Sequence, residues 1–317
     1  MNDLFPYGTA LVTGGGGFIG SHLVEQLLKL NVKVTCLDNF SGGKRENLAG
    51  FIDHPLLTVV KADITNYDEI AGHFQGVEAV FHQAVSKNSV CMKNPRLDLK
   101  TNAEGTFNVL EASRTHGVKK IVHASTGSVY GEARYVPEDE KHPTNPVSFY
   151  GTSKLAAEKY CQVFKHLYGM DVSILRYFHV YGPRQEDNDY GGVVSIFIRR
   201  VLNNQPPVIF GDGSQTRSFT YVKDVVKANL LAASHPETNG EIYNCASGLK
   251  ITIKQLADLV RTELNRNDLQ VEFRGWKPGD IKNFEIDNSK IKAIGMNFDW
   301  NFEQGVSETI KWLKNKY

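Results

Sequence analysis

The 317-residue sequence predicts an α/β protein with a doubly wound parallel sheet and a smaller C-terminal lobe. Short apolar runs alternate with segments of helical spacing through the first half of the chain. Four consecutive glycines separate the first run from the first helix, and the alternation becomes irregular after about residue 178. Parallel strands need helical crossovers, so this pattern indicates a sheet covered by helices on both faces.

Each element follows from its local pattern. Apolar runs predict strands at 10–12, 32–37, 57–60, 79–82, 120–125 and 172–176. Helical spacing predicts helices at 18–28, about 98–115, 150–168, 193–203, 252–264 and 303–315. The predicted division is a first domain, residues 1–177, rejoined by about 218–247, and a second lobe made of 178–217 and 248–317.

Composition is typical of a globular enzyme. Hydrophobic residues make up 41% and charged residues 22%, and 36 basic against 35 acidic side chains give a net charge of +1. This balance lacks the basic surface that nucleic acid requires, and no apolar run approaches the ~20 residues of a membrane span.

Localisation and metal content are predicted from the N-terminus and the cysteines. The N-terminus has neither the basic nor the apolar segment of a secretory signal. The cysteines lie far apart, and none forms a CxxC pair: Cys36, Cys91, Cys161 and Cys245. We therefore expect a cytoplasmic chain with reduced thiols and no metal site.

A glycine-rich turn follows the first strand. Gly14-x-x-Gly17-x-x-Gly20 and Gly15-x-Gly17-x-x-Gly20 both fit the dinucleotide fingerprint. Its glycines allow the tight turn, the approach of a pyrophosphate and the close packing of helix on strand. The helix N-terminus adds free N–H groups and a positive dipole end. The turn therefore predicts a Rossmann-type dinucleotide site.

Two carboxylates follow the next strands. Asp38 can accept hydrogen bonds from ribose hydroxyls and would repel a 2′-phosphate, which favours NAD over NADP. Lys44 and Arg45 weaken this preference slightly. Asp63 fits an adenine contact and a helix N-cap about equally well.

A tyrosine and a lysine share one helix face. Tyr150 and Lys154 stand at i and i+4. A tyrosine titrates near ~10, so a base near pH 7 needs a pKa lower by roughly 3. A nearby ammonium and a positive nicotinamide ring would both lower it.

The hydroxyls of Ser125, Thr126 and Ser128 follow a strand at the ligand-binding edge of the sheet, although turn or cap chemistry is their commoner use.

With these motifs, the chain resembles the extended short-chain dehydrogenase/reductase family, and within it the nucleotide-sugar 4-epimerases of the UDP-glucose 4-epimerase type. The resemblance covers nearly the whole chain through the segments 13–22, 37–39, 102–106, 129–131, 150–154, 175–178, 211–217, 278–280 and 287–290. It implies NAD as cofactor and 4-epimerisation of a UDP-sugar through a 4-keto intermediate. The sugar would be of the glucose/galactose type, with N-acetyl and uronate forms as alternatives.

The resemblance also implies site residues. Tyr150 would be the base, Thr126 the catalytic hydroxyl and Lys154 the ribose ligand. Cofactor contacts are implied for Gly14, Gly17, Phe18, Ile19, Gly20, Asp38, Asn39, Ser41, Gly42, Asp63, Ile64, Ala84, Lys87, Asn102, Tyr150, Lys154 and Phe178. Substrate contacts are implied for Lys87, Thr126, Tyr150, His179, Val193, Val208, Phe210, Arg217, Lys277 and Asp280.

Several positions depart from the epimerase pattern. His179 and Val193 stand where asparagines are usual, and Lys277 stands where an arginine commonly grips phosphate. A charged His179 would still favour phosphate. Phe284 is bulky where residue size matters for an N-acetyl group, which favours the non-acetylated sugar. The loop 85–91 is unusual for these epimerases.

Two other functions stay open. Dehydratases of the family carry an Asp-Glu pair just after the catalytic threonine, and decarboxylases carry a glutamate two residues after it. Gly127 and Ser128 occupy these positions, which favours epimerisation, although a dehydratase with Cys91 or a loop residue as its acid remains an alternative. A non-catalytic NAD-sensing protein is the second alternative; such proteins often lose the Tyr/Lys pair that this chain keeps.

A homodimer is the family expectation. The helices at about 98–115 and 150–168 would form a four-helix contact with a second copy. Ala156, Ala157 and Tyr160 are candidates for this contact, and they fit the core of one chain equally well.

Overall fold

Seven parallel strands form the central sheet of the computed structural model, which describes residues 5–188, 191–276 and 285–316. The strands of the central sheet and of the smaller sheets, numbered together in chain order, are β1 (Thr9–Thr13), β2 (Lys33–Leu37), β3 (Leu57–Val60), β4 (Ala79–His82), β5 (Lys120–Thr126), β6 (Val172–Tyr177), β7 (Val180–Tyr181), β8 (Val208–Phe210), β9 (Thr216–Arg217), β10 (Thr220–Tyr221), β11 (Ile242–Cys245), β12 (Ile251–Thr252) and β13 (Glu272–Arg274). The central sheet has the order β3-β2-β1-β4-β5-β6-β11, with every neighbouring pair parallel. The order reverses between β1 and β4, and the loops that follow these two strands border a crevice there.

Helices join the strands. They are α1 (Phe18–Lys29), α2 (Tyr67–Ile70), α3 (Asn88–Cys91), α4 (Pro95–Asp98), α5 (Gly105–Thr115), α6 (Phe149–Tyr168), α7 (Val193–Leu202), α8 (Val222–Ser234), α9 (Ile253–Glu263), α10 (Ser289–Ala293) and α11 (Phe302–Lys314). The Ser148 side chain caps α6 by accepting from the Gly151 N–H at 3.1 Å, and Gly169 ends the helix with φ 67°. Of the helices in the described ranges, none is long and apolar enough to span a membrane.

The helix predicted at about 98–115 is three segments. Between α4 and α5, Leu99–Glu104 forms a π-helical turn. The Thr106 hydroxyl donates to the Asn102 carbonyl at 2.7 Å, so a side chain competes for an acceptor of the helix backbone. Asn102 lies inside this turn and is buried.

Helices cover both faces of the sheet. Ala10 and Val12 pack on the face that carries α1 and α8, whereas Leu11 between them packs on the face that carries α5 and α6. This alternation is the two-residue period of a strand. Both faces are apolar, and the predicted doubly wound parallel sheet is confirmed.

A second core lies beside the sheet. Buried side chains of α7, α9 and α11 pack together, including Phe197, Leu256 and Ile310. Two small sheets, β8 with β13 and β9 with β12, belong to this part of the chain. A capping box between Thr252 and Gln255 starts α9.

Candidate active site

The glycine turn leaves no room for side chains. Gly14 has φ +66°, and a Cβ placed on it would lie 2.7 Å from the Ala84 nitrogen; a Cβ on Gly20 would collide with the Gly14 carbonyl. The first strand, the loop after β4 and α1 therefore meet closely at the crevice. Gly17 precedes α1, and among the described residues no side chain caps this helix or places an acid in its first turn. The end of α1 fits the pyrophosphate of a dinucleotide, with Ile19 partly buried behind it.

Asp38 holds the glycine turn. It is buried, and its two carboxylate oxygens accept from the Gly16 N–H at 2.9 Å and from the Phe40 N–H at 2.7 Å. Burial raises the pKa of Asp38, and the two hydrogen bonds, which lower it, offset this effect only in part. The contact with ribose hydroxyls stays a prediction.

Asp63 is tied to its neighbours. It accepts from the Asn39 side chain at 2.9 Å and from the Thr65 N–H at 2.9 Å. Burial alone would raise the pKa of Asp63, but the hydrogen bonds from Thr65 and Asn39 have the larger combined effect, so the net pKa is lowered. Asn39 in turn accepts from the Ser41 N–H at 2.9 Å. Asp63 thus forms an Asx turn with Thr65, whereas the N-cap residue of α2 is Asn66, so the helix N-cap alternative is wrong. The adenine contact of Asp63 stays a prediction.

A cleft of about 710 Å³ opens beside the glycine turn. Phe18, Gly42 and Lys87, three of the predicted cofactor residues, line it. Lys87 forms an ion pair of 2.8 Å with Glu186, which follows β7. Ile64 is buried in the core with residues of α5 and does not line this cleft.

Tyr150 and Thr126 meet at the carboxyl end of β5. The Thr126 hydroxyl accepts from the Ser128 N–H at 3.2 Å, which caps the short 3₁₀ helix Gly127–Val129. The Thr126 side chain also interacts with the Tyr150 phenol and favours its ionised form. Thr126 therefore combines the cap role with a place in the site, whereas the Ser125 hydroxyl is buried and donates to a carboxylate of α6.

The protein alone does not lower the pKa of Tyr150. Burial raises it to about 12, and the Thr126 side chain opposes this while Cys91 and Asp98 add to it. Lys154 is buried, which lowers its own pKa to about 8, and its Nζ lies 3.4 Å from His123 Nε2. Among the protein groups alone, burial has the largest effect on the pKa of Tyr150, and the acidifying effect expected from Lys154 and the nicotinamide ring stays a prediction.

Two buried histidines, His82 and His123, lie at the site and were not predicted from the sequence. His82 Nδ1 lies 2.7 Å from the Thr13 hydroxyl, and its Nε2 lies 2.9 Å from the Thr106 hydroxyl. The rings of His82 and His123 are 5.2 Å apart. Burial and the Lys154 charge lower the pKa of His82 to about 3, and burial likewise lowers that of His123. Both rings are neutral near pH 7, and both sit beside Lys154.

Asn102 braces the loop after β4. Its Oδ1 accepts from the Ser86 N–H at 2.8 Å, and its Nδ2 donates to the Ser86 carbonyl at 3.1 Å. These paired bonds fix the backbone that follows Ala84. Asn102 therefore supports the predicted nicotinamide side of the crevice from behind.

Phe178 packs against Gly127. A Cβ on Gly127 would collide with the Phe178 ring. That ring is buried and stacks on Tyr130 with centroids 6.4 Å apart. The residue after Thr126 therefore has no space for an acidic side chain.

The predicted substrate residues of the second lobe lie on several elements. Arg217 is buried on β9, Val208 and Phe210 begin and end β8, and Val193 begins α7. Lys277 and Asp280 lie outside the described residues, as does Phe284.

His179 is neutral. Burial and the Arg217 charge lower its pKa to about 3. The ring is therefore uncharged near pH 7, and its contact with phosphate stays a prediction. Arg217, which lies close enough to cause part of this effect, is the cation at this position.

The sheet order, the glycine turn and the Tyr150–Lys154 pair together define a dinucleotide-dependent α/β enzyme. The model of the NAD-dependent epimerase/dehydratase family matches residues 10–246. The chain belongs to this family, whose cofactor is NAD.

Relatives include epimerases and a decarboxylase. The chain is 36% identical to a UDP-glucose 4-epimerase of Mycolicibacterium smegmatis, over 96% of this chain and 98% of that protein. It is also 36% identical to a UDP-N-acetyl-alpha-D-glucosaminuronate decarboxylase of Bacillus cytotoxicus, over 96% and 97%. Among solved structures, a UDP-N-acetylglucosamine 4-epimerase of Methanobrevibacter ruminantium, in complex with UDP-N-acetylmuramic acid, matches with a TM-score of 0.93. It has 36% identity over 98% of this chain and 99% of that chain.

Proposed function

We propose that this protein catalyses the NAD-dependent 4-epimerisation of a UDP-sugar of the glucose/galactose type. The observation that carries the proposal is the meeting of Tyr150 and Thr126 at the carboxyl end of β5, beside a glycine turn that fits a dinucleotide. The 4-epimerases among the relatives support the same reaction.

Each catalytic residue has a distinct part. Tyr150 takes the proton of the sugar 4-hydroxyl and returns it, and Thr126 hydrogen-bonds the same oxygen. Lys154 holds the nicotinamide ribose. When bound, NAD supplies the hydride acceptor and donor for C4. Between the two transfers, the 4-keto sugar turns over in the pocket, so that the hydrogen returns to the other face.

The phenol needs a positive charge beside it in order to act near neutral pH. Burial raises the pKa of Tyr150 to about 12. We infer that the positive nicotinamide ring, together with the Lys154 ammonium, favours the phenolate. The enzyme would then ionise Tyr150 mainly in the presence of its cofactor.

Gly127 favours epimerisation over dehydration. A dehydratase would need an acid next to the catalytic threonine to expel a hydroxyl from C6. Here the Phe178 ring occupies the space where a side chain at 127 would begin. Ser128 offers a hydroxyl and no carboxylate.

The second lobe would bind the UDP moiety. The buried Arg217 suits a diphosphate, because a guanidinium can make two parallel hydrogen bonds to its oxygens. The partly buried Phe210 would border the uracil. Val193, Val208 and His179 would complete the sugar-nucleotide pocket.

The test is incubation with UDP-glucose, UDP-galactose, their N-acetyl forms and UDP-glucuronate, followed by NMR of the products. We expect interconversion of one 4-epimer pair and a loss of at least ~10²-fold in Tyr150→Phe, the usual range for a general base. Tyr168→Phe on the exposed end of the same helix is the matched control. Released carbon dioxide or a keto-deoxy sugar would contradict epimerisation, and NAD binding without any turnover would favour an NAD sensor.

We further propose a homodimer built from α5 and α6. Tyr160, Val163 and Leu167 recur along one face of α6 and are 40%, 47% and 62% exposed. Leu99 and Phe107 extend this face from the neighbouring segment, and the Phe107 and Tyr160 rings lie 5.5 Å apart. An apolar surface of this kind is usually covered by a partner.

A division into two units and a cytoplasmic location complete the proposal. The pairing of β11 with β6 supports a cofactor domain of residues 1–177 rejoined by about 218–247, and the separate core of α7, α9 and α11 supports a sugar lobe of 178–217 and 248–317.

The four cysteines are free and buried, which agrees with a reducing compartment.

A further inference from the structure

Asp98, the last residue of α4, is a buried carboxylate at the centre of a hydrogen-bond cluster. Its Oδ1 accepts from Asn102 Nδ2 at 2.7 Å, from the Ser153 hydroxyl at 2.8 Å and from the Cys91 thiol at 2.8 Å. Asp98 is 2% exposed. A buried charge is costly unless it is hydrogen-bonded, and these donors come from three separate segments.

The cluster reaches the reacting groups on two sides. Ser153 lies next to Lys154 in the first turns of α6, and its hydroxyl is also 3.1 Å from the Tyr150 carbonyl. Asn102 holds both backbone groups of Ser86 in the loop after β4. Asp98 therefore links the start of α6 to the loop beside the predicted nicotinamide site.

The charge of Asp98 acts on both members of the Tyr/Lys pair. It raises the pKa of Tyr150 and also raises that of Lys154, in each case after the larger effect of burial. The other titratable groups facing the pair are Cys91 of α3, His82 of β4, His123 of β5, and Glu158 and Cys161 of α6. Both histidines are held neutral by burial, and burial also raises the pKa of each thiol to about 12.

We propose that Asp98 is a positioning residue, which holds Asn102 and Ser153 beside the reacting groups and supplies a negative charge next to Tyr150 and Lys154. The proposal rests on the proposed function, because it assigns Tyr150 as the base. The Asp98 carboxylate acts through these neighbours and does not itself touch the sugar.

Two variants separate charge from geometry. Asp98→Asn keeps an oxygen acceptor for the three donors and removes the charge. The acidic limb of the kcat profile reports ionisation of the base, so it should move to lower pH by roughly 0.5 to 1 unit. Ser153→Ala keeps the charge and removes one link, so kcat should fall several-fold while the limb stays in place.

Asp224→Asn is the matched control. Asp224 is also a buried aspartate that accepts from the Asp299 and Trp300 N–H groups, and it is not among the groups that shift the pKa of Tyr150 or Lys154. This variant should leave the pH profile unchanged. If the acidic limb of the kcat profile stays fixed in Asp98→Asn, or moves equally in Asp224→Asn, the charge part of the proposal is overturned. If kcat is unchanged in Ser153→Ala, the positioning part is overturned.

A titration of Tyr150 keeps this test independent of turnover. In the NAD-bound enzyme, the ¹³Cζ signal of Tyr150, assigned with Tyr150→Phe, should titrate at lower pH in Asp98→Asn than in wild type. If no UDP-sugar turns over, the proposed function fails while this signal still decides the role of Asp98. An equal or higher titration midpoint in the variant would overturn the proposal.

Discussion

Burial determines the protonation of the groups around Tyr150. Burial raises the pKa of this phenol to about 12 and lowers that of Lys154 to about 8. His82 and His123 are neutral for the same reason. Near pH 7 the resting site therefore holds a protonated phenol beside neutral rings, and ionisation of the base depends on charge that arrives with the cofactor.

Glu138 provides a pH-dependent stability prediction. It is 2% exposed, and burial raises its pKa to about 7. An unfolded glutamate titrates near ~4.3, so the native state binds the extra proton between these values. The stability that Glu138 contributes is fully present below pH ~4.3 and is lost as the pH rises through about 7.

We therefore expect Glu138→Gln to stabilise the protein at pH 8 by about 2 kcal/mol and to have little effect near pH 4.5. Urea unfolding of wild type and variant at both pH values measures the difference. Glu111→Gln, an exposed site where Arg114 lowers the pKa, should give no gain at pH 8. A gain that is equal at both pH values would refute the assignment.

Local spacing predicts single residues better than contacts across the chain. Tyr150 and Lys154 stand four residues apart on one helix, so the sequence places them together. His82 meets Thr106 and Asp98 meets Ser153 only after the sheet and its helices assemble. Neither pair has a local signal, so neither contact is predictable from the sequence.

At the scale of elements, the end of β5 sets the chemistry. Thr126 ends the strand, Gly127 begins the short 3₁₀ helix, and the Phe178 ring at the end of β6 fills the space above it. The sequence shows that Gly127 provides no acidic side chain after Thr126. The packing of the Phe178 ring over Gly127 was not predictable, because it depends on the neighbouring strand.

This contact makes a packing prediction. Gly127→Ala should destabilise the protein by about 1–3 kcal/mol, because its methyl group meets the Phe178 ring. Phe178→Leu should relieve part of this cost, so the double variant should lose less than the two single variants combined. Denaturant unfolding of all three measures the coupling.

Gly50 serves as the control for this cycle. A Cβ on Gly50 meets nothing within 4 Å. Gly50→Ala combined with Phe178→Leu should be additive within about 0.5 kcal/mol. If the Gly127 pair is equally additive, the two residues do not interact as described.

The π-helical turn is an element that periodicity does not predict. Apolar spacing across 98–115 fits one continuous helix and therefore predicts one. The Leu99–Glu104 turn interrupts that helix and carries Asn102 in its interior. The side-chain hydrogen bonds that accompany the interruption, from Thr106 to the Asn102 carbonyl and between Asn102 and the loop after β4, are not visible in the apolar spacing.

Across the described residues, the whole molecule combines apolar cores on both faces of the sheet, a separate core of α7, α9 and α11, and an exposed apolar face on α6. The alternation of strands and helices was enough to predict the sheet and its covered faces. After β6 the strands are short and the helices lie in separate segments, so only the helices α7, α9 and α11 were predicted there. Ala157, a candidate for the dimer contact, is fully buried within one chain, whereas Tyr160 is exposed.

The exposed face of α6 predicts the oligomeric state. Wild type should elute in gel filtration at twice its 35.4 kDa chain mass at micromolar concentration. Val163→Glu with Leu167→Glu should give monomers, because two charges would be buried in an apolar contact. Val136→Glu, at a site that is 55% exposed on another part of the surface, should remain dimeric. A monomeric wild type would contradict the proposed dimer.

In the proposed reaction, C4 loses and regains its own hydrogen while Tyr150 moves the hydroxyl proton. Epimerisation of a UDP-sugar deuterated at C4, carried out in ordinary water, follows that hydrogen. We expect the 4-epimer product to carry the deuterium at C4, because the hydrogen never exchanges with solvent. Replacement of that deuterium by solvent hydrogen would refute this transfer.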